Sequence, residues 1–403
     1  MDKNIYCKYF DNCNDCDYES LIKHKLFKKK EIDFLTSNAT KIKHELLKDY
    51  VRQWMTVISN YKSSIKKLVI IDLMAASGRF FNKDKQISDG TCRNILNLSR
   101  EFCESNRREN KKIQVNLFFS DIVEQKCVCM RRYNYNSKIE DLNINITTGD
   151  YIDVANDIIE NNKYDKDTYY LIIYDPYKAD INWKILKKFY SEFINVDVII
   201  THFFITDSFR SIPEATRKIT IERLERTYGQ SIDDLKEICK IKGFNKRMYL
   251  RGCFIKKAEN LRTRAKVYYL PTLSTKNKTL YDTCVISNSY KAGEILKLSM
   301  WKHTNNIIND INIVRNSLFE KYTQSELDNW KAPEKDYDKY YNPDEICKVI
   351  FDNFKGNIIS TEQLNEYYSY HRYIPAKRSE FKAILKTKFG VKLSKSNINF
   401  KGE

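Results

Sequence analysis

Between residues 68 and 200 the chain alternates two hydrophobic periods. Apolar-rich runs at 68–71, 115–119, 144–146, 169–174 and 196–200 are short and bounded by turn residues. The first reads as a buried parallel strand and the others as strand-like. Between them, 93–105, 123–135, 154–162 and 183–192 carry apolar residues three and four apart, the spacing of amphipathic helices. Strict alternation predicts an α/β fold, with a parallel sheet covered by helices on both faces. Right-handed crossovers then bring every strand C-terminus to one edge, where ligands bind.

The flanks follow other rhythms. Ahead of the first strand, Ile42, Leu46, Leu47, Tyr50, Val51 and Trp54 recur at helical spacing behind the capping residues Thr36, Ser37 and Thr40. Beyond residue 200, the stretches 216–225 and 232–240 predict helices, and 247–254, 266–270 and 281–287 predict strands, two of them a late antiparallel pair. The charged stretch 334–341 reads as a linker. In the tail, 343–351, 361–368 and 375–388 predict three helices ahead of a strand-like end at 391–400. This is the order of a winged helix-turn-helix, with Lys377, Arg378, Lys382 and Lys386 of the third helix facing a groove. A small helical packing domain fits the same pattern. The expected organisation is an arm over 1–35, a Rossmann-like domain over 36–333 and a winged helix over 342–403.

Composition narrows the class. A chain of 403 residues with 42% hydrophobic and 13% aromatic residues can bury several cores, and 10 Gly and 6 Pro exclude long flexible linkers. The net charge of +17 favours a polyanionic partner, with nucleic acid ahead of a merely solvated lysine surface because aromatics accompany the charge. No run of 18 apolar residues is present and the first residues are not a signal peptide, so a cytoplasmic protein with no membrane partner is expected. The 11 cysteines should then be thiols or metal ligands. Cys7, Cys13 and Cys16 include one C-x-x-C, which suits a structural zinc, with His24 the nearest fourth ligand; a metal-free arm is the alternative.

Candidate chemistry gathers at the strand ends. Leu68-Val-Ile-Ile-Asp72 runs into the small-residue turn Leu73-Met-Ala-Ala-Ser-Gly78, where a backbone can approach a ligand closely. Asp121, Asp150, Asp175 and His202 follow the other four strands, so five polar residues border one crevice. Asp121 is placed to accept from ribose hydroxyls and Asp150 to reach an adenine amino group, although a turn role also suits Asp150. Asp175-Pro176-Tyr177 has the form of a loop in which a carboxylate holds an acceptor NH2 and an aromatic stacks on a flipped base. A turn-forming Asp-Pro with a core tyrosine is the simpler alternative.

Four stretches in order, Thr40-Lys-Ile-Lys-His44 with its helix to Trp54, Ile71–Phe80, Asp175-Pro-Tyr177 with Trp183, and the basic tail, resemble the three-Cys-motif partner protein family. That resemblance implies a class I S-adenosylmethionine (SAM) methyltransferase fold with an appended winged helix, and a three-Cys-motif protein as partner. It implies Asp72, Ala75 and Gly78 in the cofactor loop, Asp175, Pro176 and Tyr177 in the reaction crevice, and Lys41 and His44 in a family signature. Where the family has Ala-Gly-Pro-Gly, this chain has Ala75-Ala-Ser-Gly78, and where it has Gly-Ser-Pro, Asp89-Gly-Thr91.

The leading expectation is SAM-dependent methyl transfer to nucleic acid. Two alternatives keep the fold. One is a non-catalytic nucleic-acid-binding partner subunit; the other is a nuclease whose Asp72, Asp121, Asp150 and Asp175 hold a divalent ion.

Overall fold

The computed structural model describes residues 38–61, 64–81, 87–134, 139–162, 166–176, 178–202, 208–241, 246–263, 265–273, 279–307, 343–370 and 378–401. Cys7, Cys13, Cys16, His24, Tyr177, Lys377 and the 334–341 stretch lie outside them, as does the side chain of Arg378. The chain divides into two compact units, Met1–Pro176 with Asn182–Ile200, and Tyr177–Ile181 with Thr201–Glu403.

In the first unit the five apolar runs are β1 (Lys67–Asp72), β4 (Gln114–Asp121), β5 (Leu142–Thr148), β6 (Thr168–Tyr174) and β7 (Asn195–His202). All pair in parallel, in the order β5-β4-β1-β6-β7. The central strand β1 has Leu68, Val69, Ile70 and Ile71 wholly excluded from water, which explains why its sequence lacks polar alternation. The edge strand β5 alternates instead, with Asn143, Asn145 and Thr147 exposed. Helices α2 (Thr91–Arg108), α3 (Glu124–Asn134), α4 (Tyr151–Asn161) and α5 (Trp183–Glu192) fall between the strands as their periodicity predicts. The amphipathic α1 (Asn38–Tyr61) buries Leu46, Leu47, Tyr50, Val51 and Trp54, and the Trp54 indole donates to Asp197 Oδ2 on β7 at 2.9 Å. Between β1 and α2 the chain inserts a short hairpin, β2 (Arg79–Phe81) and β3 (Ile87–Asp89), which three-residue strands leave invisible to periodicity.

After a short helical turn at Phe209–Ser211, the second unit has helices α6 (Lys218–Tyr228), α7 (Ile232–Lys240) and α8 (Lys246–Glu259). Here the strand expected over 247–254 is corrected: it is part of α8. Leu250, Cys253, Phe254 and Ala258 are buried at helical spacing, a period that an eight-residue window with Met, Tyr and Phe conceals. The late strands do form an antiparallel pair, β8 (Lys266–Leu273) and β9 (Thr279–Ser287), followed by α9 (Tyr290–Ile307). A buried ion pair, Arg251 to Asp282 at 2.8 Å, ties α8 to β9.

The tail runs α10 (Pro343–Phe354), β10 (Ile358–Ser360), α11 (Thr361–Tyr370), α12 (Arg378–Phe389), β11 (Lys392–Leu393) and β12 (Asn397–Asn399). Its strands make an antiparallel sheet in the order β10-β12-β11. Ile346, Ile350, Leu364, Tyr368, Phe381, Leu385 and Phe400 give this segment its own core.

Candidate active site at the β1 and β6 strand ends

In the order β5-β4-β1-β6-β7, the chain moves outward from β1 in one direction, then returns and moves outward in the other. The reversal falls between β1 and β6, and loops leaving those two strands diverge to open a crevice. Asp72 ends β1, level with Ile173 of β6 and Phe119 of β4. Asp175 therefore stands two residues beyond Asp72 on one side, and Asp121 two beyond on the other.

The loop after β1 is held from below. Ala75 N–H donates to Ser120 O at 2.8 Å, and the Ser120 hydroxyl donates to Leu73 O at 2.9 Å. Asp72 Oδ1 accepts from Met74 N–H at 3.2 Å. The loop then needs left-handed backbone twice, at Ala76 (φ 55°) and Gly78 (φ 69°). A Cβ on Gly78 would lie 2.5 Å from Cys92 Sγ and 2.8 Å from Arg93 Cγ, so this glycine lets the loop sit directly on the start of α2. The inserted hairpin carries Phe80 back over α1, where its ring lies 4.4 Å from that of His44.

Electrostatics concentrate at the same place. Lys43 Nζ meets Asp175 Oδ2 at 2.5 Å, with both side chains largely buried. The other carboxylate oxygen, Asp175 Oδ1, is buried without a hydrogen-bond partner among the described residues. Burial, then the charge of Asp175, pushes the Asp72 carboxyl up from 3.8 to about 7, against Met74 N–H and Lys43, which pull it down. Burial, with Lys43 beside it, lowers the His44 imidazole from 6.5 to about 3, while Asp175 pulls the other way. His44 is thus neutral at physiological pH and serves as a packed ring or hydrogen-bonding group rather than as an acid.

The remaining residues singled out from sequence fall in different places. Asp121 Oδ1 accepts from Val123 N–H at 2.9 Å and its side chain is partly exposed. Asp150 is exposed and caps α4, accepting from Ile152 N–H at 2.8 Å, which is the turn role. Gly149 N–H donates to Asp121 O, so both aspartates border one loop. Pro176 and Ala75 are both buried. His202 is the last residue of β7. Lys41 is exposed and is not brought to Asp175. Lys43 takes that position, because residues two apart on a helix point about 200° away from each other. Lys43 and Phe80 were not singled out from sequence; the Lys-Ile-Lys-His run places two lysines on opposite faces, and only the packing of α1 says which one turns inward.

One expectation is corrected. Among the described residues, no group of three or more His, Cys, Asp or Glu gathers to hold a metal ion. Asp175 is paired with Lys43, Asp121 and Asp150 accept from backbone N–H groups, and Asp72 is buried under the loop, so the four aspartates do not form a nuclease-type metal site. No helix among the described residues is long and apolar enough to cross a membrane.

No family model matches this chain, and no curated protein does. Among solved structures, protein LPL1258 from Legionella pneumophila aligns with 66% of this chain and 91% of its own at 11% identity and a TM-score of 0.39. Loganic acid methyltransferase, solved with S-adenosylhomocysteine (SAH), covers 70% of this chain and 89% of its own at 10% identity and a TM-score of 0.27. A dimethyladenosine transferase from Plasmodium falciparum covers 75% and 78% at 11% identity and 0.22. At these scores the likenesses are too distant to assign a fold or a function.

Proposed function

We propose that this chain is a SAM-binding, methyltransferase-like protein of the three-Cys-motif partner type, acting on nucleic acid. The observation that carries this reading is the crevice at the β1/β6 reversal, where a glycine-requiring loop adjoins a carboxylate with one buried oxygen that has no partner among the described residues. The surroundings suit the ligand: Gly78 lets the loop pack directly on the start of α2, and Asp121 at the end of β4 can accept from ribose hydroxyls. SAM, when bound, supplies an electrophilic methyl group. The chain's own residues then bind and orient. Asp72 fixes the loop through Met74 N–H, and Asp175 Oδ1 accepts a hydrogen bond from the acceptor's N–H or O–H. Positioning supplies most of the catalysis in such an in-line displacement, so the lack of an acid near neutral pH in His44 is no obstacle.

For the acceptor, two features support nucleic acid. The tail has the helix-strand-helix-helix-strand-strand order of a winged helix, and α12 exposes Lys382 and Lys386 one turn apart, while Lys388 is engaged with Asp344 at 2.5 Å. The overall charge of +17 adds the long-range attraction. A second reading, a nucleic-acid-binding subunit that keeps the fold without catalysis, is favoured by Ala76. It occupies a left-handed position at φ 55°, where a non-glycine residue costs about 1–2 kcal/mol. Isothermal titration of SAM and SAH into the full chain separates the two. Saturable binding that ATP and NAD do not reproduce supports the first, and absence of heat at millimolar ligand supports the second.

A further inference from the structure

The two oxygens of Asp175 live in different surroundings. Oδ2 receives the Lys43 ammonium at 2.5 Å, and Oδ1 is buried with no partner among the described residues. A buried carboxylate oxygen left without a donor is costly, so an arrangement that keeps one must hold the carboxylate firmly from its other side. Lys43 does this from α1, an element outside the alternating strands and helices of the sheet. Its helix is itself fixed to β7 by the Trp54 to Asp197 hydrogen bond. The next residue on α1, His44, is buried against Phe80 of the inserted hairpin. Among the described residues, α1 thus contributes the one cation paired with Asp175.

We propose that Lys43 is a positioning residue of the crevice. Its ammonium fixes the Asp175 carboxylate by Oδ2, leaving Oδ1 to accept a single hydrogen bond from an uncharged N–H or O–H donor on the bound acceptor. The word acceptor rests on the methyltransferase reading; the role of Lys43 toward Asp175 and its neighbours does not. An anionic acceptor group, such as a carboxylate or phosphate, would meet Oδ1 with like charge and is excluded.

The neighbours of Asp72 provide the readout: Lys43 from α1, Asp175 after β6, Asp121 at the end of β4, and Met74 N–H within its own loop. The full chain labelled with 13C at aspartate carboxyls is titrated from acid to alkaline pH as wild type, Lys43→Met, Lys43→Arg and Lys41→Met. Loss of the Lys43 charge raises the Asp72 midpoint by about 1 pH unit, whereas Lys43→Arg and Lys41→Met leave it in place. A midpoint in Lys43→Met that matches Lys41→Met overturns the proposal. Should Lys43→Met fold poorly, the double variant Lys43→Met/Asp175→Asn removes both charges. A melting temperature closer to wild type than that of Lys43→Met supports the pair, and additive losses overturn it. SAH titration on the same samples reads the other claim. Wild-type protein that ignores SAH defeats the methyltransferase reading while the Asp72 shift still decides the role of Lys43, and SAH affinity that stays within about threefold in Lys43→Met supports an action on Asp175 rather than on the cofactor.

Discussion

Replacing Asp72 by Asn should make this protein more stable in alkaline solution, the reverse of what removing a charged residue usually does. In the folded chain the Asp72 carboxyl is buried beside Asp175 and its midpoint is raised from 3.8 to about 7. Its protonated form is therefore favoured by folding. The stability it permits is fully present below pH 4, declines as pH rises through the interval between the two midpoints, and levels off above about pH 7. A separation of some three units at 1.36 kcal/mol each amounts to roughly 4 kcal/mol, of which roughly 2–3 kcal/mol is lost between pH 5 and pH 8. Asn keeps an oxygen for Met74 N–H but has no proton to lose. Urea unfolding at pH 5, 6, 7 and 8 measures the difference between variant and wild type, in which the titration of all other groups largely cancels. The expected outcome is a gap that moves in favour of Asp72→Asn by a few kcal/mol over that range. Parallel stability curves would refute the buried, proton-retaining state of Asp72.

Two further outcomes follow from the same geometry. Gly78→Ala places a Cβ against Cys92 and Arg93 in a left-handed backbone. Strain of about 1–2 kcal/mol from the backbone and about 1–3 kcal/mol from overpacking should lower the urea midpoint and abolish SAH binding; an unaltered midpoint contradicts the close approach of the loop to α2. Charge reversal at Lys382 and Lys386 should weaken nucleic-acid binding and lower the slope of log affinity against log salt by about 0.9 per phosphate contact removed, as measured by fluorescence anisotropy at several salt concentrations, and an unchanged slope removes α12 from the interface.

The sheet was legible in the sequence because its central strands β1 and β6 are buried on both faces, so that Leu68–Ile71 and Leu171–Ile173 show no polar break to obscure them. The candidate crevice was legible for a related reason: in a parallel sheet every strand ends on one edge, so the first polar residue after each run marks it. Asp72, Asp121 and Asp175 were found this way. Lys43 was not, since in Lys41-Ile-Lys-His44 neither lysine differs from the other until the rotation of α1 is known. The inserted hairpin escaped because two three-residue strands carry no period. The helix α8 was read as a strand because Tyr and Phe favour strands locally, while burial of Leu250, Phe254 and Ala258 together is decided by packing against the rest of its unit.

The central claim is that a nucleoside cofactor occupies the crevice between the ends of β1 and β6, and a crystal structure of the full chain grown with SAH tests it most directly. The ligand is expected over the Asp72–Gly78 loop, with its ribose hydroxyls on Asp121 and its sulfur toward Asp175. Density for SAH away from that loop, or a loop that remains unchanged and unliganded at saturating SAH, would contradict it.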